Sequence, residues 1–249
     1  MSSYIESGVQ LFSRLNSRPI LEGINKFLFP DGGPYPNQVI EITGHPRIDK
    51  NDLLMDFLVK CILPSKYSDE FKGSGAIFIN TEFQISLFKI IKVIETHLTA
   101  RNIKDSKKEI LENALKNLTI FNCFSLEELE VTFMSLERFI YANENVSLVL
   151  IDNIAAHYWI AKASSNMLSY FQHSLKMFDK VYSALKSLNI LLVFVRSDKD
   201  CDKKRSSANV DYRIEIQENT NAGFCAVMHN FEKQTTNSVL FKVDIILKV

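Results

Sequence analysis

The sequence predicts an α/β fold: a mostly parallel, twisted sheet flanked by helices, with an antiparallel extension at the C-terminal end. Three observations carry this. From residue 39 to residue 195, short and nearly continuous apolar runs alternate with stretches of helical periodicity, the pattern of strands buried on both faces and joined by helices. One strand–loop–helix unit in that series holds much of a phosphate-binding motif. In the last third, apolar residues alternate with polar ones, as strands with one wet face do.

The elements follow in order. Residues 4–28 place Ile5, Val9, Phe12, Leu15, Leu21, Ile24 and Leu28 at helical spacing, in two short pieces broken at Arg18-Pro19. Phe29-Pro-Asp-Gly-Gly-Pro-Tyr-Pro36 is a turn-rich hinge. Strand Val39–Thr43 leads to a helix over 51–63, and strand Ala76–Thr81 to a helix over Gln84–Leu98. Leu118–Phe124 precedes a helix over Leu126–Tyr141. Val146–Ile151 ends at Asp152, and a long helix (about 166–187) precedes strand Ile190–Val195. Tyr212–Gln217, Phe224–Met228 and Val239–Ile245, separated by Asn- and Thr-rich turns, read as an antiparallel meander.

Composition narrows the function classes. A chain of 249 residues with 46% hydrophobic and 23% charged residues can build one large α/β core. Its formal net charge of zero provides no global attraction to nucleic acid or membrane, so any such contact is local. The four cysteines are far apart, form no C-x-x-C pair, and fit buried thiols in a reducing compartment. The five histidines have no metal-ligand spacing with them. The N-terminus carries no secretory signature, and the longest apolar runs are strand-sized, so a soluble intracellular protein without a membrane span is expected.

The motif lies at Gly44-His-Pro-Arg-Ile-Asp-Lys50-Asn51. A phosphate-binding loop, G-x-x-x-x-G-K-S/T, wraps phosphate oxygens in backbone N–H groups, counters their charge with the Lys, and ligates magnesium through the hydroxyl. Gly44 and Lys50 stand where that chemistry needs them. Asp49 replaces the second glycine, Pro46 removes an N–H donor, and Asn51 offers an amide oxygen in place of the hydroxyl. The residues fit a degenerate loop, a working nucleotide site, or a plain turn in which Asp49 or Asn51 caps the helix. Leu148-Val-Leu-Ile-Asp152 has the form of a magnesium-holding Walker-B strand, or of an acid capping the next turn. Glu82 in Asn80-Thr-Glu82 is placed either to orient a hydrolytic water or to begin a helix. Lys203-Lys-Arg205 lies in a loop at the strands' carboxyl ends, where nucleic-acid phosphates could meet it. Asp198, Asp200 and Asp202 share that loop and favour a solvated reading. His157-Tyr-Trp159 reads as packing, with base stacking as the other possibility.

The order of elements, together with several segments, resembles the RecA-like core of the eukaryotic recombinases and their paralogues. The segments are Glu6-Ser-Gly-Val-Gln-Leu-Phe-Ser-Arg-Leu15, Ile40-Glu-Ile-Thr-Gly44, Cys61-Ile-Leu-Pro64, Leu148-Val-Leu-Ile-Asp-Asn-Ile-Ala-Ala-His-Tyr-Trp-Ile160 and Val210-Asp-Tyr-Arg213. The resemblance implies a RecA-like P-loop core over 37–249, preceded by an N-terminal docking segment and hinge over 1–36. Within residues 4–28, packing against the chain's own sheet is the alternative to docking. The small helical DNA-binding domain that precedes the core in full-length recombinases is expected to be lacking.

The same resemblance implies a nuclear role in homologous recombination repair of DNA double-strand breaks. The chain would join sister recombinase paralogues in a hetero-oligomer and assist recombinase filament loading on single-stranded or branched DNA. Position by position, Gly44, Lys50 and Asp152 match the family's ATP and magnesium (Mg2+) residues, and Asn51 stands at the hydroxyl position. Glu82 matches the acid that positions the attacking water, and Asp198 stands near the polar amide that senses the γ-phosphate. Residues 199–209, with Lys203, Lys204 and Arg205, correspond to a DNA-facing loop. The departures at Asp49 and Asn51 predict a degenerate ATP site in a subunit that works by docking. The rival expectation is an active DNA-dependent P-loop ATPase that remodels recombinase filaments. A P-loop kinase would need an arginine-bearing lid, and no such segment is evident in the sequence.

Overall fold

The computed structural model describes residues 7–10, 13, 18–45, 47–164, 169–197, 209–219 and 223–241. Its elements are β1 (Val39–Gly44), α1 (Asn51–Ile62), β2 (Gly75–Asn80), α2 (Leu87–Ala100), α3 (Lys107–Lys116), β3 (Leu118–Asn122) and α4 (Leu126–Ala142). There follow β4 (Val146–Ile151), α5 (Tyr158–Ser164), α6 (Tyr170–Leu185), β5 (Leu191–Ser197), β6 (Tyr212–Asn219), β7 (Gly223–Asn230) and β8 (Thr235–Phe241).

All eight strands form one sheet in the order β3-β2-β4-β5-β1-β6-β7-β8. The pairings from β3 across to β6 are parallel, and β6–β7 and β7–β8 are antiparallel. Every residue of β1, β2 and β4 is buried, which is why these strands read as nearly continuous apolar runs. One core packs α1, α2 and α3 against the sheet, and a second packs α4 and α6 against its other face. This mixed α/β architecture, a mostly parallel eight-stranded sheet flanked by helices, is consistent with a RecA-like fold. Among the described residues, no helix is long and apolar enough to cross a membrane.

The structure revises several boundaries. Residues 21–28 form successive turns rather than a helix. The periodic Leu21, Ile24 and Leu28 are nonetheless buried in the core beside α1, so their spacing reports burial alone. Asn25 holds the turns in place. Its side-chain oxygen accepts from the Leu28 N–H at 3.0 Å, and its amide donates to Asp56 at 3.1 Å. Arg18, itself buried, donates to the carbonyls of Ile140 and Val146 at 2.8 Å each, and to those of Asn143 and Glu144. The N-terminal segment from residue 18 is thereby fastened to the end of α4 and the loop after it. The rest of the expected docking element, at 1–6, 11–12 and 14–17, lies outside the described residues.

Helix α2 begins at Leu87, three residues later than expected, because Ser86 caps it by accepting from the Lys89 N–H. The long helix starts at Tyr170, where Ser169 and Gln172 form a reciprocal capping box. Helices α3 and α5 were not expected. Strand β6 belongs to the parallel part as well as to the meander, since it pairs parallel with β1 and antiparallel with β7.

Candidate functional site

In a parallel sheet the strands' carboxyl ends gather the loops that can act on a ligand, and here they gather the loop after β1, the turn after β2 and the turn after β4. Gly44 ends β1 between β5 and β6, in register with Ser197 and Ile216. A Cβ at Gly44 would lie 2.7 Å from the Ile216 carbonyl oxygen. The glycine is therefore required by the closeness of β6, whatever the loop binds.

Past Gly44 the loop is closed by its own side chains. The Lys50 ammonium is buried and donates to the carbonyls of His45 at 3.1 Å and Ile48 at 2.8 Å. Asp49 accepts from the Asn51 N–H at 2.8 Å, which caps α1 one position before its N-cap residue. Lys89 of α2 lies 3.7 Å from both Asp49 and Asp52. Burial, reinforced by the Asp49 charge, pushes the Asp52 carboxyl above its ordinary range despite Lys89. The Asn51 amide donates to Gln84 at 3.0 Å, so its orientation is fixed by the turn after β2. Pro46 lies outside the described residues.

Asp152 leaves β4 fully buried and hydrogen-bonded at both oxygens. Its Oδ1 accepts from the Thr81 hydroxyl at 2.6 Å, the Thr81 N–H at 2.8 Å and the Asn153 N–H at 2.9 Å. Its Oδ2 accepts from the Glu82 N–H at 3.0 Å. Burial pushes the Asp152 carboxyl up, and these four donors pull the other way. Glu82 is half-buried and accepts from the Asn153 side-chain amide. Burial is the main cause that raises its carboxyl too, aided by the charges of Asp152 and Asp49 and opposed by Asn153 and Lys50.

The structure thus brings Gly44, Lys50, Asn51, Glu82 and Asp152 to one end of the sheet. Lys203, Lys204, Arg205 and Asp198 lie outside the described residues. Among the described residues, no group of three or more His, Cys, Asp or Glu side chains is arranged to hold a metal ion. Sequence reasoning did not single out Thr81, Gln84 and Asn153, the residues that knit the site together. Thr81 adjoins Glu82, Gln84 lies two residues beyond it and Asn153 adjoins Asp152, so the only available signal was the polar residues at each strand end. His157 and Tyr158 pack inside, with a His157 ring nitrogen 3.1 Å from the Cys123 carbonyl oxygen, whereas Trp159 stands out in solvent.

No family model matches the sequence. Among curated proteins, however, a relative is found across most of the chain. The chain is similar to DNA repair protein XRCC2 of Mus musculus. The two are 26% identical over 206 residues, which cover 82% of this chain and 72% of XRCC2. In a chain of 249 residues, a match of that length takes in Lys50, Glu82 and Asp152 wherever it starts. The likeness to XRCC2 therefore extends over the candidate-site residues Lys50, Asn51, Glu82 and Asp152 and over strands β2 to β5.

Proposed function

We propose that this chain acts in DNA repair by homologous recombination, as a nuclear subunit of a complex with one or more sister RecA-like chains. In that complex it assists loading of the recombinase on single-stranded DNA. Its P-loop-like segment is a degenerate ATP site kept for architecture. The observation that carries the reading is the similarity to XRCC2 over most of the chain, on a sheet whose form is consistent with a RecA-like fold.

Three contacts support the degenerate site. Asp49 places a carboxylate where a phosphate cradle uses glycine, and it is committed to capping α1. The Lys50 ammonium, which would counter phosphate charge, donates to the loop's own carbonyls. Asp152, the candidate magnesium ligand, already accepts four hydrogen bonds from the protein, three at Oδ1 and one at Oδ2. As arranged, the residues do not fit a magnesium nucleotide. One observation favours the rival reading, an active DNA-dependent ATPase: Lys50, Glu82 and Asp152 still converge at one sheet end, with Glu82 feeling the charges of the other two.

Titration of labelled ATP with magnesium against the purified chain separates the two. Binding no tighter than the millimolar range, unchanged by Lys50→Ala, is the expected result. Tight binding that Lys50→Ala abolishes, or turnover that Glu82→Gln abolishes, would overturn the degenerate-site reading.

A further inference from the structure

The turn after β2 and the turn after β3 each end in a phenylalanine, and the two rings meet. Phe83 and Phe124 stack face to face, with centroids 4.4 Å apart and planes 12° apart. They are not a buried pair, since Phe83 is 41% and Phe124 69% exposed. The backbone is built to hold them there. Asn80 and Asn122 sit opposite each other at the ends of β2 and β3, and their side chains are joined by a 2.9 Å hydrogen bond. The Asn80 side-chain oxygen also accepts from the Phe83 N–H at 3.1 Å, and its carbonyl accepts from the Cys123 N–H. Glu128 accepts from the Phe124 N–H at 2.7 Å. Phe83 has φ +59°, in the left-handed region, which is unfavourable for a bulky residue and tends to persist where a function uses it.

An exposed aromatic pair in so constrained a setting suits either a nucleobase or an apolar side chain of a partner. The charges around it decide between them. Glu82 precedes Phe83 directly, and Glu127 and Glu128 occupy the first turn of α4 just after Phe124. Of the cations toward the loop after β1, Lys50 donates to loop carbonyls and Lys89 sits between Asp49 and Asp52, which leaves the exposed Arg47 against the three carboxylates. A surface rimmed by carboxylates repels a phosphate backbone and attracts arginine or lysine.

Resting on the subunit role above, we propose that the Phe83–Phe124 stack is an anchor on which a sister RecA-like chain docks. That partner would set an apolar side chain on the rings and reach Glu82, Glu127 or Glu128 with a flanking arginine or lysine. The proposal adds to the expected N-terminal docking segment an anchor at the sheet end that carries the candidate site.

Photo-crosslinking tests it in the full chain, expressed in cells. Benzoylphenylalanine replaces Phe124, or, as a control, Thr236 on the opposite edge strand β8. A crosslink from position 124, and not from position 236, to a chain identified by mass spectrometry as RecA-like is expected. Phe124→Ser, and Phe83→Asn, which tolerates the left-handed turn, should each cut recovery of that chain at least about tenfold while the melting temperature holds. A RecA-like chain recovered undiminished by both variants, or never crosslinked from position 124, overturns the anchor and leaves the subunit role standing. Failure of the unsubstituted chain to recover any RecA-like protein overturns the subunit role itself. Crosslinking of position 124 to a single-stranded oligothymidylate in place of a protein would assign the stack to nucleic acid.

Discussion

Arg18 and Ile140 lie more than a hundred residues apart in sequence, yet the guanidinium of one donates to the carbonyl of the other at 2.8 Å. Ile140 is in the last turn of α4, where its carbonyl also accepts from the Asn143 N–H and the helix dipole favours a cation. The same guanidinium serves Asn143, Glu144 and Val146, so a single side chain satisfies the end of α4 and the start of β4.

Arg18→Ala should therefore destabilise the fold by about 3 kcal/mol, because it strips charged donors from buried carbonyls. Urea denaturation checks this. Arg18→Lys should recover only part of the loss, since an ammonium cannot reproduce the planar fork. A change of less than about 1 kcal/mol for Arg18→Ala would mean that water replaces the guanidinium at little cost.

Gly44→Ala should destabilise the chain by roughly 2–3 kcal/mol, whether or not nucleotide and magnesium are present. The added Cβ meets a backbone oxygen of β6 at 2.7 Å, which no rotamer change relieves. Thermal unfolding with and without ATP tests the point. If the loss emerged only in the presence of nucleotide, Gly44 would be serving a phosphate and not the sheet.

Cys61 gives a pH dependence of definite sign. Burial pushes its thiol up to about 12 from an ordinary value of 9.0, although hydrogen bonds with Ser147 and Ser74 pull the other way. A group whose folded pKa is raised stabilises fully below its unfolded pKa, and that contribution is lost as pH rises through the folded value. The window therefore runs from about pH 9 to about pH 12, with a total effect on the order of 4 kcal/mol. Cys61→Ala should flatten the alkaline fall in stability measured by urea titration at successive pH values. At pH 8 the native thiol should react with Ellman's reagent only as fast as the chain unfolds.

Much of the sheet was legible because its strands are buried on both faces. Val146–Ile151 is the strand that its apolar run predicted, and α4 exceeds its predicted span by one residue. Helix α3 was not legible because only Ile110 and Ala114 of its ten residues are buried, too few to make a period. The turns over 21–28 imitate a helix, since they bury Leu21, Ile24 and Leu28 at the spacing a helix would use. At the candidate site, sequence supplied Gly44, Lys50, Glu82 and Asp152 but not the bonds among them. The contact of Thr81 with Asp152 crosses between adjacent strands, and that of Asn51 with Gln84 joins a helix to a distant turn. Neither follows from local pattern.

At the centre of the sheet, Glu41 of β1 accepts from Arg213 of β6 at 2.8 Å and lies 2.9 Å from Arg196 of β5, all three buried. One carboxylate between two guanidiniums adds little stability of its own, because desolvation consumes most of the attraction. It works instead as a key. Sliding either neighbour by a single residue would turn its guanidinium to the other face, into the aliphatic core that holds Ile40 and Ile42. With β5, β1 and β6 locked in step, β5 and β1 end level at Ser197 and Gly44, beside Ile216 of β6. The platform from which the loops depart is thus set by three charges buried in the strands beneath it.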